Sequence, residues 1–399
     1  MQRHNELEKD LIVGKKSVFK VTCVVGTRPE AIKMAPVIME LKSLKNFAVS
    51  LLSTGQHAEM LDQALKHFNI TPSFELFVMK ERQSLEHITS RVLEGVGNFL
   101  ALNKQDMILV HGDTTTTLAA SLAAFYRKVP VAHVEAGLRS YDLSQPFPEE
   151  ANRVITDRLS ALCFAPTAIA AQNLLKEGIE ENKIWITGNT VIDSLFWTIE
   201  NSRNVETVSS LGIDNDSRVV LVTAHRRESW GKPLLRIVSA LKELLNSYND
   251  LHVVIPLHLN PEVREVFYNM LPQNERIHYT EPLDYPQFIN LMKMSAFIMS
   301  DSGGIQEEAT ALKKPLLILR ELSERPEAVN EGTGVIVGTD THKIVASASR
   351  LLDEPAWLAS FSEKSECPFG DGKAAKKIAN IIKEYLSNDM VSSLEDNLA

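Results

Sequence analysis

Short apolar, β-branched runs alternate with longer amphipathic stretches, and the alternation happens twice along the chain. The first round has runs at 19–25, 49–53, 107–110, 131–134, 162–165 and 184–187, with helical patterns between them such as 31–44, 59–68, 84–102 and 117–126. After a polar region at 201–217 the rhythm restarts, with runs at 219–223, 253–256, 277–279, 297–300 and 316–319. Strands apolar along their whole length must be covered on both faces, and interleaved helices supply that cover. The expected fold is therefore α/β, with two doubly wound, Rossmann-like domains built on parallel sheets. A chain of 399 residues is also too long for a single core. The join is expected near residues 188–193 or in the polar stretch after them. This division gives a polar N-terminal extension (1–17), a first domain (18–187), a second domain (188–372) and a last helix (373–399) that could pack back on the first domain.

Composition narrows the partners. A net charge of -9 provides no basic field, so nucleic acid and anionic membrane are not expected, and bound phosphate must be held by a few local cations. Cys23, Cys163 and Cys367 are scattered and form no CxxC pair, which fits a reducing cytoplasm. The polar stretch 1–16 lacks the apolar core of a signal peptide, and no apolar run is long enough to span a bilayer. A cytoplasmic location is expected.

In open α/β sheets ligands sit beyond the carboxyl ends of the strands, so the residues that follow each run matter most. The run at 297–300 leads into Asp301-Ser302-Gly303-Gly304-Ile305-Gln306-Glu307-Glu308. Small residues there leave the first amides of a helix open to an anion, and the adjoining acids suit sugar hydroxyls, so a nucleotide or phosphorylated sugar is the natural occupant. Gly26-Thr27-Arg28-Pro29-Glu30 and Lys33 follow the first run. Cations at a helix start oppose its dipole, which points to an anionic ligand at Arg28 and Lys33. After 107–110 comes His111-Gly112-Asp113 and four threonines, where Asp113 reads most simply as a helix cap. Glu135 ends its run where capping chemistry prefers Ser, Asp or Gly, which makes it the best functional acid. Glu149 and Glu150 after Pro148 are balanced between function and ordinary first-turn acids. In the second half, His225, Arg226 and Arg227 suit a pyrophosphate or carboxylate grip, and Arg320 and Arg325 follow the last run. Cations line both domains while carboxylates cluster in the first, as expected of a cleft that binds an anion and carries acid/base groups on one side.

Several chemistries find no support. Gly95-Val96-Gly97 lies inside a helical pattern without the third glycine of a dinucleotide fingerprint. No Walker loop, HExxH, metal-spaced Cys/His set or Gly-x-Ser-x-Gly elbow is present, so no cofactor and no metal are expected.

The strand-end segments together resemble one family, the non-hydrolysing UDP-N-acetylglucosamine 2-epimerases. The similarity rests on Gly26-Thr27-Arg28-Pro29-Glu30-Ala31-Ile32-Lys33, Ser53-Thr54-Gly55-Gln56-His57, Gly112-Asp113-Thr114 and His133-Val134-Glu135-Ala136-Gly137-Leu138-Arg139. It continues through Pro148-Glu149-Glu150-Ala151-Asn152-Arg153, Thr187-Gly188-Asn189, Ala224-His225-Arg226-Arg227, the 301–308 segment and Glu324-Arg325-Pro326-Glu327. These stand in the family's order over nearly the whole chain after Lys16. Leu283, where some relatives carry Gln, and the N-terminal extension are departures. The resemblance implies a glycosyltransferase-B type fold, a homodimer, and metal-free interconversion of UDP-GlcNAc and UDP-ManNAc, a nucleotide sugar for cell-envelope polysaccharide.

By that resemblance Asp113, Glu135, Glu149 and His225 are catalytic. Arg28, Lys33, Arg153, Phe288, Ser302, Gly303, Gly304, Glu308 and Arg325 bind substrate, with Phe288 near the uracil. Gln56, His57, Arg82, Gln83, Arg226 and His258 form an allosteric site for a second UDP-GlcNAc. The chemistry agrees: C2 has no neighbouring carbonyl, so loss of UDP from C1 must acidify its hydrogen, giving 2-acetamidoglucal before re-addition. Such a route needs a firm hold on UDP and acid/base groups on both faces of C2. The alternatives are a hydrolysing 2-epimerase, which Pro29 disfavours, an epimerase of a UDP-diacetamido sugar, a glycosyltransferase of the same fold, and a non-catalytic nucleotide-sugar sensor.

Overall fold

A computed structural model describes residues 18–55, 58–78, 83–202, 211–214, 216–224, 226, 230–321, 323, 325–330, 332–363 and 366–396. The first sheet holds β1 (Phe19–Val25), β2 (Phe47–Ser53), β3 (Phe74–Glu75), β4 (Met107–His111), β5 (Val131–Val134), β6 (Leu162–Ala165) and β7 (Ile184–Ile186). Its seven strands run in the order β3-β2-β1-β4-β5-β6-β7, and every pairing is parallel. The second contains β8 (Arg218–Thr223), β9 (Leu251–Pro256), β10 (Ile277–Thr280), β11 (Phe297–Ser300), β12 (Leu316–Ile318) and β13 (Gly334–Ile336). Its order is β10-β9-β8-β11-β12-β13, also parallel throughout. Strands β4, β5 and β6 are buried at every residue, which explains their unbroken apolar runs.

The strand order reverses between β1 and β4 in the first sheet, and between β8 and β11 in the second. Loops on either side of such a switch point diverge and open a crevice. Residues 26–30 and 112–114 flank one crevice, and Ala224, Arg226 and residues 301–303 the other. This is the glycosyltransferase-B arrangement.

Helix Arg28–Ser43 shows how sequence sets these elements. Thr27 precedes it in extended conformation, Pro29 stands in its first turn, and Glu30 reaches back to the Thr27 N–H at 2.7 Å. Its buried apolar positions Ala31, Met34, Ala35, Val37, Ile38 and Leu41 repeat at helical spacing and cover β1.

The chain crosses between the sheets twice, side by side. A Cβ on Gly188, whose φ is +90°, would lie 3.2 Å from the Phe369 carbonyl oxygen and 3.3 Å from the Gly370 Cα, so only glycine allows the two strands of the crossing to touch. Asn189 N–H closes the contact by donating to the Phe369 carbonyl at 2.7 Å. Helix Thr190–Asn201 follows and wedges between the domains; Ser194 Oγ donates to the Ile32 carbonyl at 2.6 Å. Asp193 accepts from the Ala374 and Ala375 amides (3.2 and 2.9 Å), capping helix Ala374–Asp396, which lies against helix Arg28–Ser43. One apolar cluster runs from Phe19 and Leu41 through Leu195 to Leu221 and Ile298, so both sheets share a core.

The structure corrects details of the sequence reading. Strand β2 starts at Phe47, which packs on Phe19 with ring centroids 5.5 Å apart, and β3 and β13 are additional short edge strands. Cys23 and Cys163 are buried, Cys367 is half-buried, and all three are free thiols. Among the described residues no His/Cys/Asp/Glu group is placed to hold a metal, and no helix is long and apolar enough to cross a membrane.

Candidate active site

The loops after β1, β4 and β5 converge in the first domain. Glu30 ties the first two together. Its buried carboxylate accepts from the Gly26 and Thr27 amides (3.0 and 2.7 Å) and from the hydroxyls of Thr27, Thr114 and Thr117 (2.8, 2.7 and 3.1 Å).

Asp113 is not the helix cap that its position suggested. Thr114 takes that role, its Oγ1 accepting from Thr117 N–H at 3.1 Å. The Asp113 carboxylate instead accepts from Arg153 Nη2 at 2.7 Å, and its backbone carbonyl accepts from Asn152 Nδ2 at 2.9 Å.

The two adjacent acids after Pro148 separate cleanly. Glu150 is buried, accepts from the Ser140 and Tyr141 amides at 3.0 Å each, and faces Arg153 Nη1 at 3.3 Å. It holds the loop. Glu149 is half-buried, and among the described residues its Oε2 has no hydrogen-bond donor. Burial first, and then the neighbouring Asp113, push its carboxyl above the usual range, while Arg226 and Arg153 moderate the rise.

Glu135 sits at the end of β5 with φ +68°, a left-handed conformation that costs a side-chain-bearing residue energy and clusters at functional sites. Its Oε2 accepts a short hydrogen bond from Lys33 Nζ and another from Asn189 Nδ2 at 2.6 Å. Burial is the largest single influence and opposes charge on Glu135, yet Lys33, His111 and Arg325 together outweigh it, and the carboxyl is held well below the ordinary range. His111 Nε2 lies 3.8 Å from the same oxygen; burial pushes that imidazole down to about 3, so it is neutral at physiological pH.

The second domain meets this cluster directly. Glu307, wholly buried, accepts from Arg325 Nε at 2.7 Å and Asn189 Nδ2 at 3.0 Å, and its other oxygen lies 3.5 Å from Lys33 Nζ. Two carboxylates and two cations from both domains are thus interleaved. A Cβ on Gly303 would fall 2.4 Å from Arg325 Nη1, so the guanidinium lies on the glycine, whereas Gly304 has nothing within 4 Å of that position. The start of helix Gly303–Ala311, with Ser302 as its N-cap residue, therefore has a cation laid on its first turn and clear space beside Gly304. Asp301 shapes the loop by accepting from Arg226 N–H at 2.9 Å. Glu308 points the other way from Glu307 and accepts from the Tyr285 hydroxyl at 2.9 Å; burial raises its carboxyl to about 7. Arg28 crosses the cleft to donate from Nη2 to the Leu283 carbonyl at 2.8 Å; burial lowers its pKa, opposed by Asp284 and Glu308. Phe288 is half-buried against the shared core.

Of the residues expected from sequence, Lys33, Glu135 and Arg325 meet in one network, Asp113, Arg153 and Glu149 in a second, and Arg28 and Glu308 flank the first. Gln83 Nε2 donates to the Val78 carbonyl at 2.6 Å, and exposed His258 accepts at Nδ1 from Asn260 N–H at 3.2 Å. His225, Gln56, His57 and Arg82 lie outside the described residues. Glu307 was read with Glu308 as a sugar-gripping acid; its carboxylate turns to the domain boundary instead. Asn189 was missed because it also looks like a plain helix cap, which it is: Oδ1 accepts from Val191 N–H at 3.0 Å.

The family profile of UDP-N-acetylglucosamine 2-epimerase matches residues 39–383. The chain belongs to this family. The UDP-N-acetylglucosamine 2-epimerase of Escherichia coli O157:H7 is 47% identical over 371 residues, covering 92% of this chain and 98% of that one. The crystal structure of UDP-GlcNAc 2-epimerase from Neisseria meningitidis bound to UDP-GlcNAc superposes with a TM-score of 0.88 at 46% identity, over 92% of this chain and 100% of that one. The Methanocaldococcus jannaschii enzyme in complex with UDP-GlcNAc and UDP is more distant, with 34% identity and a TM-score of 0.80 over 92% and 100% of the two chains. The 2-epimerase similarity thus spans both sheets and the cleft between them.

Proposed function

We propose that this protein interconverts UDP-GlcNAc and UDP-ManNAc by inverting C2 through elimination and re-addition of UDP. One observation carries the reading: the small-residue helix start at Gly303-Gly304, with Arg325 on it, is joined through Glu307 and Lys33 to Glu135 of the opposite domain. A diphosphate on those amides sets its sugar against the first-domain carboxylates. In the elimination a carboxylate takes the C2 proton, the C2–H electrons form the C1=C2 bond, and the C1–O pair leaves with UDP. The products are 2-acetamidoglucal and UDP. In the return step a proton reaches C2 from the opposite face and the UDP oxygen re-bonds to C1.

Glu135, whose carboxyl is held below the ordinary range with Lys33 beside it, and Glu149, whose carboxyl burial raises, are shifted in opposite directions, a separation that suits a two-face proton exchange. Asp113 sits beside them, oriented by Arg153. Arg28, Lys33, Arg325 and His225 hold the leaving UDP, Ser302, Gly303 and Gly304 its phosphate, Glu308 the ribose and Phe288 the uracil. In the same reading residues 18–187 and 188–372 act as the two closing units of a cytoplasmic homodimer. Gln56, His57, Arg82, Gln83, Arg226 and His258 take a second UDP-GlcNAc that favours closure. Pure UDP-ManNAc should then turn over slowly until UDP-GlcNAc is added; prompt hyperbolic turnover would remove the second site.

Incubating the protein with UDP-GlcNAc alone and following products by proton NMR tests the main reading. A mixture of the two UDP-sugars is expected. Free ManNAc with UDP would instead assign the hydrolysing reaction, and unchanged substrate would reject both.

A further inference from the structure

Glu307 and Asn189 take no part in the acid/base scheme, yet both touch its centre. Asn189 stands on the crossing between the domains, where its backbone N–H is fixed to Phe369 and its Oδ1 caps helix Thr190–Asn201. With Oδ1 committed, Nδ2 must face outward, and it donates to two carboxylates at once: Glu135 of the first domain (2.6 Å) and Glu307 of the second (3.0 Å). Both carboxylates also face Lys33 Nζ. Glu307 further holds Arg325 by Nε, which fixes the plane of a guanidinium lying on Gly303. The helix Gly303–Ala311 that would hold a diphosphate is therefore tied, through one wholly buried carboxylate, to the carboxylate at the end of β5.

We propose that Glu307 and Asn189 are positioning residues for the epimerase reaction, holding the Glu135 carboxylate in place across the domain boundary and dividing the Lys33 charge between two acids. The inference rests on the assignment of Glu135 to C2 proton transfer. Its physical content is a balance. Glu135 faces Lys33, His111, Asn189 and Arg325, and Glu307 stands on the other side of the shared Asn189 amide. Without the Glu307 charge, Lys33 would pair with Glu135 alone and make it a weaker base. Without the Asn189 amide, Glu135 would lose the donor that fixes its angle, and the strained backbone beneath it would lose a restraint.

Four variants test this. Glu307→Gln removes the charge and keeps the shape; kcat should fall at least about tenfold while UDP binding holds or tightens, because the site becomes more positive. Removing a like charge beside Glu135 should also move the acid limb of the kcat/KM profile to lower pH, and Glu307→Asp should move it back. Asn189→Ser keeps a capping oxygen for Val191 but deletes the bridge, so kcat should fall while the helix cap, and with it the fold, is retained. The Asn189 variant serves if Glu307→Gln fails to fold. Glu135→Gln separates the two levels. If it is inactive while Glu307→Gln and Asn189→Ser keep kcat within about twofold of wild type, the positioning role is wrong and the site stands. Parallel loss of UDP affinity and kcat with an unmoved pH profile also overturns it, leaving a merely structural role. A fully active Glu135→Gln rejects the site assignment and the inference with it.

Discussion

Replacing Lys33 with Met leaves two buried carboxylates close together, with Arg325 on Glu307 but no ammonium shared between the pair. Both Glu135 and Glu307 bond to the single Asn189 Nδ2, at 2.6 and 3.0 Å, so they lie close together. Two unit charges about 5 Å apart at an effective dielectric near 20 repel by roughly 3 kcal/mol. Removing one partner of a buried ion pair generally costs about 3–5 kcal/mol. Lys33→Met should therefore lose about 3–5 kcal/mol at pH 7.5, unless one carboxyl takes up a proton. That escape fixes the sign of the pH dependence. In the wild type the Glu135 pKa is depressed below its ordinary 4.5, so its contribution is full above about 4.5 and is lost only as the pH falls through the lower value. In the variant, burial and the facing Glu307 raise the pKa, the folded state binds the extra proton, and stability rises as the pH drops from 7.5 toward 5. Urea unfolding at pH 7.5, 6 and 5 reads both effects. A variant within about 1 kcal/mol of wild type at pH 7.5, with the same pH slope, would refute the ion-pair reasoning.

Three further outcomes follow from the same geometry. Asp113→Asn should lower kcat about 10²–10⁴-fold with UDP still bound in steady-state and binding assays, since Thr114 and not Asp113 caps the helix and Asn gains nothing as a cap; near wild-type turnover would remove Asp113 from the mechanism. Gly303→Ala drives a Cβ into Arg325 and should lower both melting temperature and UDP affinity, the latter about tenfold or more by loss of one charge-assisted hydrogen bond, whereas Gly304→Ala, with open space around it, should leave the melting temperature unchanged. Glu308, raised to about 7 by burial, should accept ribose hydroxyls better as it ionises, so the affinity advantage of wild type over Glu308→Gln should grow from pH 6 to pH 8 in calorimetric titrations; the folded wild type, binding a proton between about 4.5 and 7 that the unfolded chain has lost, should become less stable across that interval relative to Glu308→Gln.

The α/β class and the strand-end placement of candidate residues were legible because fully buried parallel strands write unbroken apolar runs, and because loops after such strands are where ligands bind. Phe74–Glu75 was not legible: it is an exposed two-residue edge strand with no run to see. Gly334–Ile336 opens on glycine and is equally mute. Asp113 misled because Asp and Thr are both good caps, and adjacent candidates differ only in which residue the backbone places at the helix start. Glu307 and Glu308 are neighbours in sequence, but neighbours on a helix point about 100° apart, so one meets Arg325 and the other Tyr285. Asn189 carried a cap signal that was correct and hid its bridging amide. What the sequence lacks in each case is the partner: Lys33 and Glu307 meet only because two sheets close on a shared helix.

Reaction with UDP-GlcNAc in D₂O, followed by proton NMR and mass spectrometry of the nucleotide sugars, tests the elimination route most directly. One deuterium is expected at C2 of every UDP-ManNAc formed, with deuterium also entering C2 of the recovered UDP-GlcNAc as the reaction reverses. Inversion at C2 with the original hydrogen fully retained would contradict it.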